Sequence, residues 1–308
     1  MIETKEMEVS VETNVSEKFN VKLQKIMVAT DFSPDSDRAL GHALSLARRY
    51  SAQVFLTHIV STDPFTMLAP ELAARSLGKL RQTASQEFGE IMKSERLRNV
   101  DFALAIEEGP FWPSLESLIK KFKIDLIVAG TRGMGGVRKF VLGSKAEQIF
   151  RQASIPVMIV GPAVEGEPFY EAEFKNILFA TDFGAGAARE SAYALSLAKR
   201  HDTRLNLLHV IPFLEDHSET ALKQAKAEAI RQMQELAPAD TKNRCQPGYW
   251  VAIGDPAEEI LRMALATRAG LIVMGAKEMI GLVDRLPHTN KAYKVVCESA
   301  CPVLTIRS

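Results

Sequence analysis

The chain has 308 residues, room for about two domains of the usual roughly 100–200 residues each. A hydrophobic share of 46% and a charged share of 25% exclude a disordered or fibrous polymer. Lys+Arg and Asp+Glu number 38 each, so no basic field favours nucleic acid, and no apolar run reaches the roughly 18 residues of a membrane span. Residues 1–22 are polar and acidic without an apolar h-region, and read as a loose tail. Partial alternation over Met7 to Val15 leaves an edge strand open as the alternative. The three cysteines, Cys245, Cys297 and Cys301, form no even framework and suit a reducing cytoplasm.

In chain order, short apolar runs alternate with helical patterns. Strands are expected at Lys25–Thr30, Val54–Val60, Phe102–Glu107, Leu126–Gly130 and Val157–Val160. The runs are continuous rather than alternating, as in parallel strands covered on both faces. Helices are expected over 36–50, within 67–98, over 113–122 and over 144–153. In the first, Leu40, Leu44 and Ala47 share a face and Arg48 and Arg49 fill the last turn. Met67 and Leu68 read as a loop or as a lid over a pocket mouth. Residues 163–174 carry Gly166, Pro168 and four glutamates and read as a linker. Beyond it the pattern recurs, with strands near 176–181, 204–211, 248–253, 271–275 and 303–306.

That recurrence is an internal repeat. Residues 25–60 align without gaps with residues 176–211, sharing Ala-Thr-Asp-Phe, Ala-Leu-Ser-Leu-Ala and a histidine, His58 or His209. Gly109-Pro110 matches Gly254-Asp255-Pro256, and Ser154-Ile155-Pro156-Val157 matches Ala300-Cys301-Pro302-Val303. The chain therefore divides into a first domain over 23–162 and a second over 175–308. Strand–helix alternation gives each an α/β fold with an open, doubly wound parallel sheet.

Ligands in such sheets bind at the carboxyl ends of strands. Asp31 follows the first strand, and a glycine-rich loop follows the fourth, from Gly130 to Ser144. Glycines let backbone N–H groups approach phosphate oxygens. Gly143-Ser144 opens the next helix, where the dipole favours an anion, and Arg132, Arg138, Lys139 and Lys145 supply positive charge. Asp31 suits a ribose hydroxyl or, through water, a phosphate-bound Mg²⁺. The plainer alternative stays open: Ser144 and Asp31 cap helices, and the glycines are turns.

The pattern Gly130-x₂-Gly133-x₉-Gly143-Ser144 resembles the ATP-binding signature of the universal stress protein family. Ile26 to Asp31, Leu56-Thr57-His58-Ile59 and Ile155-Pro156-Val157 fit the family at the matching places, and the likeness covers both halves. The resemblance implies five parallel strands per domain in order 3-2-1-4-5, the adenine nucleotide alpha hydrolase-like arrangement. It implies an adenine nucleotide, ATP, with Ala29, Asp31 and Ile59 at the adenosine end. Gly130, Arg132, Gly133, Gly143, Ser144 and Lys145 would surround the phosphates. It also implies an internal pseudo-dimer through the last strands, Val157–Val160 and Val303–Ile306, with a further homodimer open.

The second half keeps Ala180-Thr181-Asp182, Leu208-His209-Val210 and Gly275 but departs after them. Glu278 stands where the second glycine belongs, and His288-Thr289 where Gly-Ser belongs. A carboxylate there repels phosphate, so no tight ATP binding is expected in this half. Asp182, Arg285 and His288 are candidates for another ligand, or the pocket is structural. His58, His209, Cys297, Cys301, Phe111 and Trp112 read as packing residues rather than ligands or a metal set. No P-loop is present and no paired carboxylates or Cys/His arrangement supplies a base and nucleophile. The expected function is a cytoplasmic, ATP-binding stress or signalling protein with an unidentified regulatory protein partner. A slow ATPase and a scaffold for a non-nucleotide ligand are the alternatives.

Overall fold

A computed structural model describes residues 21, 23–61, 70–131, 142–161, 164, 174–212, 218–238, 247–276 and 291–307. Arg132, Gly133, Arg138, Lys139, Met67 and Leu68 lie outside the described residues, as do Glu278, Arg285, His288, Thr289 and nearly all of the tail and linker.

The first half runs β1 (Lys25–Ala29), α1 (Pro34–Tyr50), β2 (Gln53–Ser61), α2 (Pro70–Lys93), β3 (Phe102–Gly109), α3 (Phe111–Phe122), β4 (Leu126–Gly130), α4 (Ser144–Gln152) and β5 (Val157–Val160). The second repeats it with β6 (Asn176–Ala180), α5 (Ala187–His201), β7 (Arg204–Ile211), α6 (Glu219–Leu236), β8 (Gly248–Ile253), α7 (Pro256–Ala266), β9 (Leu271–Ala276), α8 (Lys291–Glu298) and β10 (Val303–Arg307). The sequence therefore placed every described strand, and its helix boundaries shift by only a few residues. The largest shift is in α2, which ends at Lys93 and not near residue 98, while Phe111 and Trp112 form the first turn of α3.

All described strands form one sheet in the order β3-β2-β1-β4-β5-β10-β9-β6-β7-β8. Each half has the expected 3-2-1-4-5 order, the second in mirror sequence. Pairing is parallel within each half and antiparallel where β5 meets β10, with Val303 opposite Ile159, Leu304 opposite Met158 and Thr305 opposite Val157. The Thr305 hydroxyl adds a bond to the Val157 carbonyl at 3.2 Å. The two last strands thus cover each other's edges, which leaves only β3 and β8 as sheet edges among the described residues. Burial follows this order: β1, β4, β5 and β9 are apolar and shielded on both faces, while β3 and β8 are half exposed.

Helices cover both faces. On one, α1 and α5 present Leu40, Leu44, Leu195 and Leu197 to the sheet, joined by Phe88 of α2 and Met233 of α6. On the other, α3, α4, α7 and α8 contribute Leu115, Ile149, Ile260 and Val296. Each apolar layer runs without a break across both halves. The buried face of α1 is wider than the stripe read from the sequence, because Ala39, Ala43 and Leu46 are buried too.

A second seam lies where the C-terminal ends of α1 and α5 meet across the pseudo-twofold axis. Arg49 Nε donates to the Arg200 carbonyl at 2.9 Å, and Arg200 Nη2 donates to the Arg49 carbonyl at 2.8 Å. Arg200 also lies 5.5 Å over the Tyr50 ring, and His201 packs on Phe174 at 4.7 Å. Burial, with Arg49 and Arg200 adding to it, pushes the His201 imidazole down to about 4, and burial alone brings His42 of α1 to about 4. A base whose folded value lies below its unfolded value of 6.5 takes up a proton preferentially in the unfolded chain. Stability is therefore fully present above about pH 6.5 and falls as the pH drops towards 4. The expected loss is on the order of 1–2 kcal/mol per histidine after allowance for solvent screening. Urea unfolding at pH 7 and pH 4.5 should show that drop, and His201→Leu should lessen it.

Candidate functional site

The winding reverses between β1 and β4, and the crevice at their carboxyl ends is where the predicted site residues fall. The block Ala-Thr-Asp-Phe is a latch. After Ala29, the Thr30 N–H donates to the Thr57 carbonyl at 2.9 Å, and the Thr30 hydroxyl accepts from the Phe32 N–H at 3.0 Å. Phe32 is held at φ 62, a left-handed conformation that an aromatic residue adopts only at a cost. Its ring packs on His58 with centroids 4.7 Å apart, and His58 Nδ1 bonds the Thr30 carbonyl at 2.9 Å. The second half repeats each part: Phe183 at φ 56, its ring 4.4 Å from His209, and His209 Nδ1 2.9 Å from the Thr181 carbonyl. The two histidines are therefore structural, as the sequence suggested.

Asp31 does not cap the following helix. The N-cap of α1 is Ser33, whose hydroxyl accepts from the Ser36 N–H at 3.3 Å. Asp31 stands two residues earlier and takes the Ser33 N–H on Oδ1 at 3.1 Å. This turn aims its carboxylate at the tip of β1.

Ile59 has a buried side chain, 3% exposed, so any role at the site belongs to its backbone. Peptide groups of alternate residues in a strand face the same neighbour. Thr57 uses its carbonyl towards β1, through Thr30. Ile59 therefore turns its N–H and C=O the same way, but β1 has ended at Ala29 and left that gap open. The arrangement offers one donor and one acceptor in a plane, matched to the edge of a heterocyclic base.

The other end of the crevice is built from β4 and α4. Gly130 is required by contact with α1: a Cβ there would stand 2.5 Å from the Asp35 carbonyl carbon and 2.8 Å from the Ser36 nitrogen. Its bareness thus lets a helix approach a strand tip, a structural need the sequence did not reveal. Thr131 is 2% exposed and donates its hydroxyl to Asp35 Oδ2 at 3.0 Å, while Asp35 is paired with Arg38. The Thr131 carbonyl accepts from the Gly143 N–H at 2.7 Å and so draws the two ends of the glycine-rich loop together.

Gly143, not Ser144, is the N-cap of α4, and no side chain caps that end. By contrast, Ser33, Ser218 and Asp255 each cap their helices with a side-chain oxygen. Ser144 is the first helical residue and is exposed. Lys145 follows it and lies 5.5 Å over the Phe111 ring at the start of α3. Burial lowers the His58 pKa, with Lys145 adding to the effect, while the Thr30 carbonyl and Asp31 raise it. Lys145 and Asp31 therefore act on the same imidazole with opposite sign. Gly109 closes the third side at φ +144, a conformation open to glycine, and Gly254 repeats it at +151.

The structure thus brings together Ala29, Asp31, Ile59, Gly130, Gly143, Ser144 and Lys145, while Arg132 and Gly133 lie outside the described residues. The sequence missed Asp35, Thr131 and the Phe111 platform. Among the described residues, no group of three or more His, Cys, Asp or Glu side chains could hold a metal ion. None of the described helices is long and apolar enough to cross a membrane.

The second crevice differs at its centre. The carboxylate of Glu190, on α5, lies against Gly275, and its Cδ is 2.8 Å from where a Cβ of Gly275 would stand. Glu190 is 5% exposed and occupies the position of Ala39 in α1. Gly186 stands where Asp35 does, so α5 begins later than α1 and leaves the space that Glu190 fills. A signal existed in the aligned repeat, where a glutamate replaces an alanine on an otherwise apolar helical face.

The sequence model of the universal stress protein family matches residues 22–161 and 173–307. A universal stress protein of Methanocaldococcus jannaschii is 31% identical over 138 residues, 44% of this chain and 81% of its own length. One from Mycolicibacterium smegmatis is 25% identical over 300 residues, 92% of this chain and 96% of its own. Among solved structures, a universal stress protein from Archaeoglobus fulgidus superposes with a TM-score of 0.66 at 20% identity, covering 94% of this chain and 98% of its own. The chain belongs to the universal stress protein family and contains two copies of its domain.

The contact at Gly130 yields a direct expectation. Gly130→Ala must push α1 off the tip of β4, at a cost of roughly 1–3 kcal/mol. Urea unfolding of the variant measures it, and an unchanged midpoint would contradict the close approach.

Proposed function

We propose that this member of the universal stress protein family binds ATP in its first crevice and acts as a regulatory protein whose nucleotide state alters a partner. The observation that carries the reading is the convergence of three chemistries at the tips of β1, β2 and β4. Ile59 turns a peptide donor and acceptor into an open gap, Asp31 presents a carboxylate oxygen suited to a ribose hydroxyl, and Lys145 flanks an α4 N-terminus without a side-chain cap. These recognise in order a base, a sugar and an anion, the sequence of groups in a nucleotide. Helix N–H groups and their dipole favour phosphate. Gly133 and Arg132 would complete the phosphate loop. Mg²⁺ would arrive with the triphosphate, with Asp31 reaching it only through water.

The second crevice is proposed to exclude a triphosphate. Glu190 takes up the space beside Gly275, and Glu278 follows in the sequence where the first half has Gly133. Two carboxylates at a phosphate site raise the cost of bringing in further negative charge. The second half then serves as support, and the whole as a soluble binding protein of the cytoplasm with at most slow hydrolysis.

Mass spectrometry of the native protein and calorimetry with ATP test this reading. One nucleotide per chain is expected. Asp31→Ala should weaken binding about tenfold or more, the worth of a hydrogen bond to a charged group. Gly133→Glu, which copies the second half, should weaken it roughly 100-fold or more by placing like charges within a few ångströms. ATP retained by Gly133→Glu, or found beside Gly275 in a ligand-bound structure, would refute the assignment.

A further inference from the structure

We infer that Tyr293, on α8 of the second half, is a positioning residue for the phosphate end of the first crevice. The inference rests on the nucleotide reading above and adds a control on that site from the other half. The Leu142 N–H donates to the Tyr293 phenol oxygen at 3.2 Å, across the seam between the halves. Leu142 is the residue before Gly143. The Gly143 N–H is tied to the Thr131 carbonyl at 2.7 Å. The returning end of the glycine-rich loop thus has two adjacent anchors, one from its own half and one from the other.

Both groups in this contact are sealed from water. Leu142 is 3% exposed and Tyr293 is 2% exposed. A buried N–H that loses its acceptor has no water to replace it, so the Leu142 N–H must turn to the weaker sulfur acceptor of Cys297 and the loop end shifts with it. The Tyr293 ring is itself fixed, edge-on to Phe150 with centroids 6.1 Å apart. The Cys297 thiol, one turn along α8, interacts with both the phenol and the Leu142 backbone. Arg307 of β10 ties the same region down by donating to the Phe150 carbonyl at 2.9 Å.

The fold alone does not demand this hydroxyl. Counting back from the aligned pair Ser154 and Ala300, the position of Tyr293 corresponds to Glu147 in the first half. Glu147 pairs with Arg151 on its own helix at 2.7 Å. A phenylalanine at 293 would keep the ring against Phe150 and remove the hydroxyl, and with it the acceptor for Leu142 and the interaction with the Cys297 thiol. The displaced groups would be Gly143 and Ser144, at the phosphate end. Ala29, Asp31 and Ile59 are held by β1 and β2 and have no bond to α8 among the described residues, so the adenosine end should stay as it is.

The test separates the two ends. Wild type and Tyr293→Phe, both full length, are titrated with ATP and with adenosine by calorimetry, and their thermal unfolding is recorded. The expected result is a loss of roughly 3–10-fold in ATP affinity, the scale of one neutral hydrogen bond, with adenosine affinity within twofold of wild type. Unchanged ATP affinity overturns the inference while leaving the nucleotide reading intact. An equal loss for both ligands also overturns it, because that marks a general loosening of the domain. Wild type binding neither ligand overturns the nucleotide reading and this inference together.

Discussion

The antiparallel pairing of β5 with β10 is the constraint on which the rest of the molecule depends. A parallel α/β sheet of five strands ends in an apolar edge, here Val157–Val160 or Val303–Arg307, with its backbone groups unpaired. Placing the two edges against each other pairs those groups and buries both sides of each strand. It also fixes everything beside the edge. The helix after β4 and the helix after β9 lie on the same face next to the junction, so α4 and α8 must pack together. The Phe150–Tyr293 ring contact and the Leu142–Tyr293 hydrogen bond follow from that enforced proximity. On the opposite face the ends of α1 and α5 meet, and arginines 151 positions apart exchange bonds with each other's carbonyls.

Duplication lets the two halves serve as internal controls for one another. What both keep is the Thr–Phe–His latch at the tip of the first strand and the left-handed glycine at the tip of the third. Each of these settles backbone geometry: a buried hydroxyl satisfies the N–H of a residue at positive φ, and an aromatic ring pays for that conformation by stacking. What differs is the neighbourhood of the fourth strand's tip. In the first half the start of α1 abuts Gly130 through its backbone, and Thr131 is held by Asp35. In the second, α5 starts later and Glu190 fills the resulting gap beside Gly275. The shared parts settle the tips of the first and third strands, and the parts that differ surround the tip of the fourth.

Much of this was legible in the sequence because the determining interactions are local or periodic. Continuous apolar runs identified the buried strands, the repeat gave two domains, and the family resemblance gave the pairing of their last strands. Asp31 and the Gly143-Ser144-Lys145 helix start could be named because strand tips and helix starts are readable from spacing, whereas Ile59 came only from the family resemblance. Other features depend on distances the sequence does not carry. The requirement for glycine at 130 arises from the backbone of residues 35 and 36, nearly a hundred positions earlier. The N-cap assignment at Gly143 instead of Ser144, and at Ser33 instead of Asp31, turns on one residue of helical phase. Phe111 acts as a platform for Lys145 only because β3 and β4 bring two helix starts together. Tyr293 gave no signal at all, since its partner is a backbone N–H in the other half.

The contrast between Tyr293 and Glu147 gives the second half a contribution to the first that two identical halves would not share. A lone first domain would leave the apolar β5 edge open and the Leu142 N–H without its phenol acceptor. A symmetric dimer of first domains would close the edge, but it would bring Glu147 to the place where Tyr293 stands. A carboxylate at that place would also accept the N–H, yet it would set a negative charge beside the approach to the phosphate loop. The phenol accepts the same hydrogen bond without adding charge. Two halves free to diverge can therefore do what two identical ones cannot: one keeps the crevice proposed to bind the nucleotide, and the other contributes a neutral acceptor for the Leu142 N–H beside it.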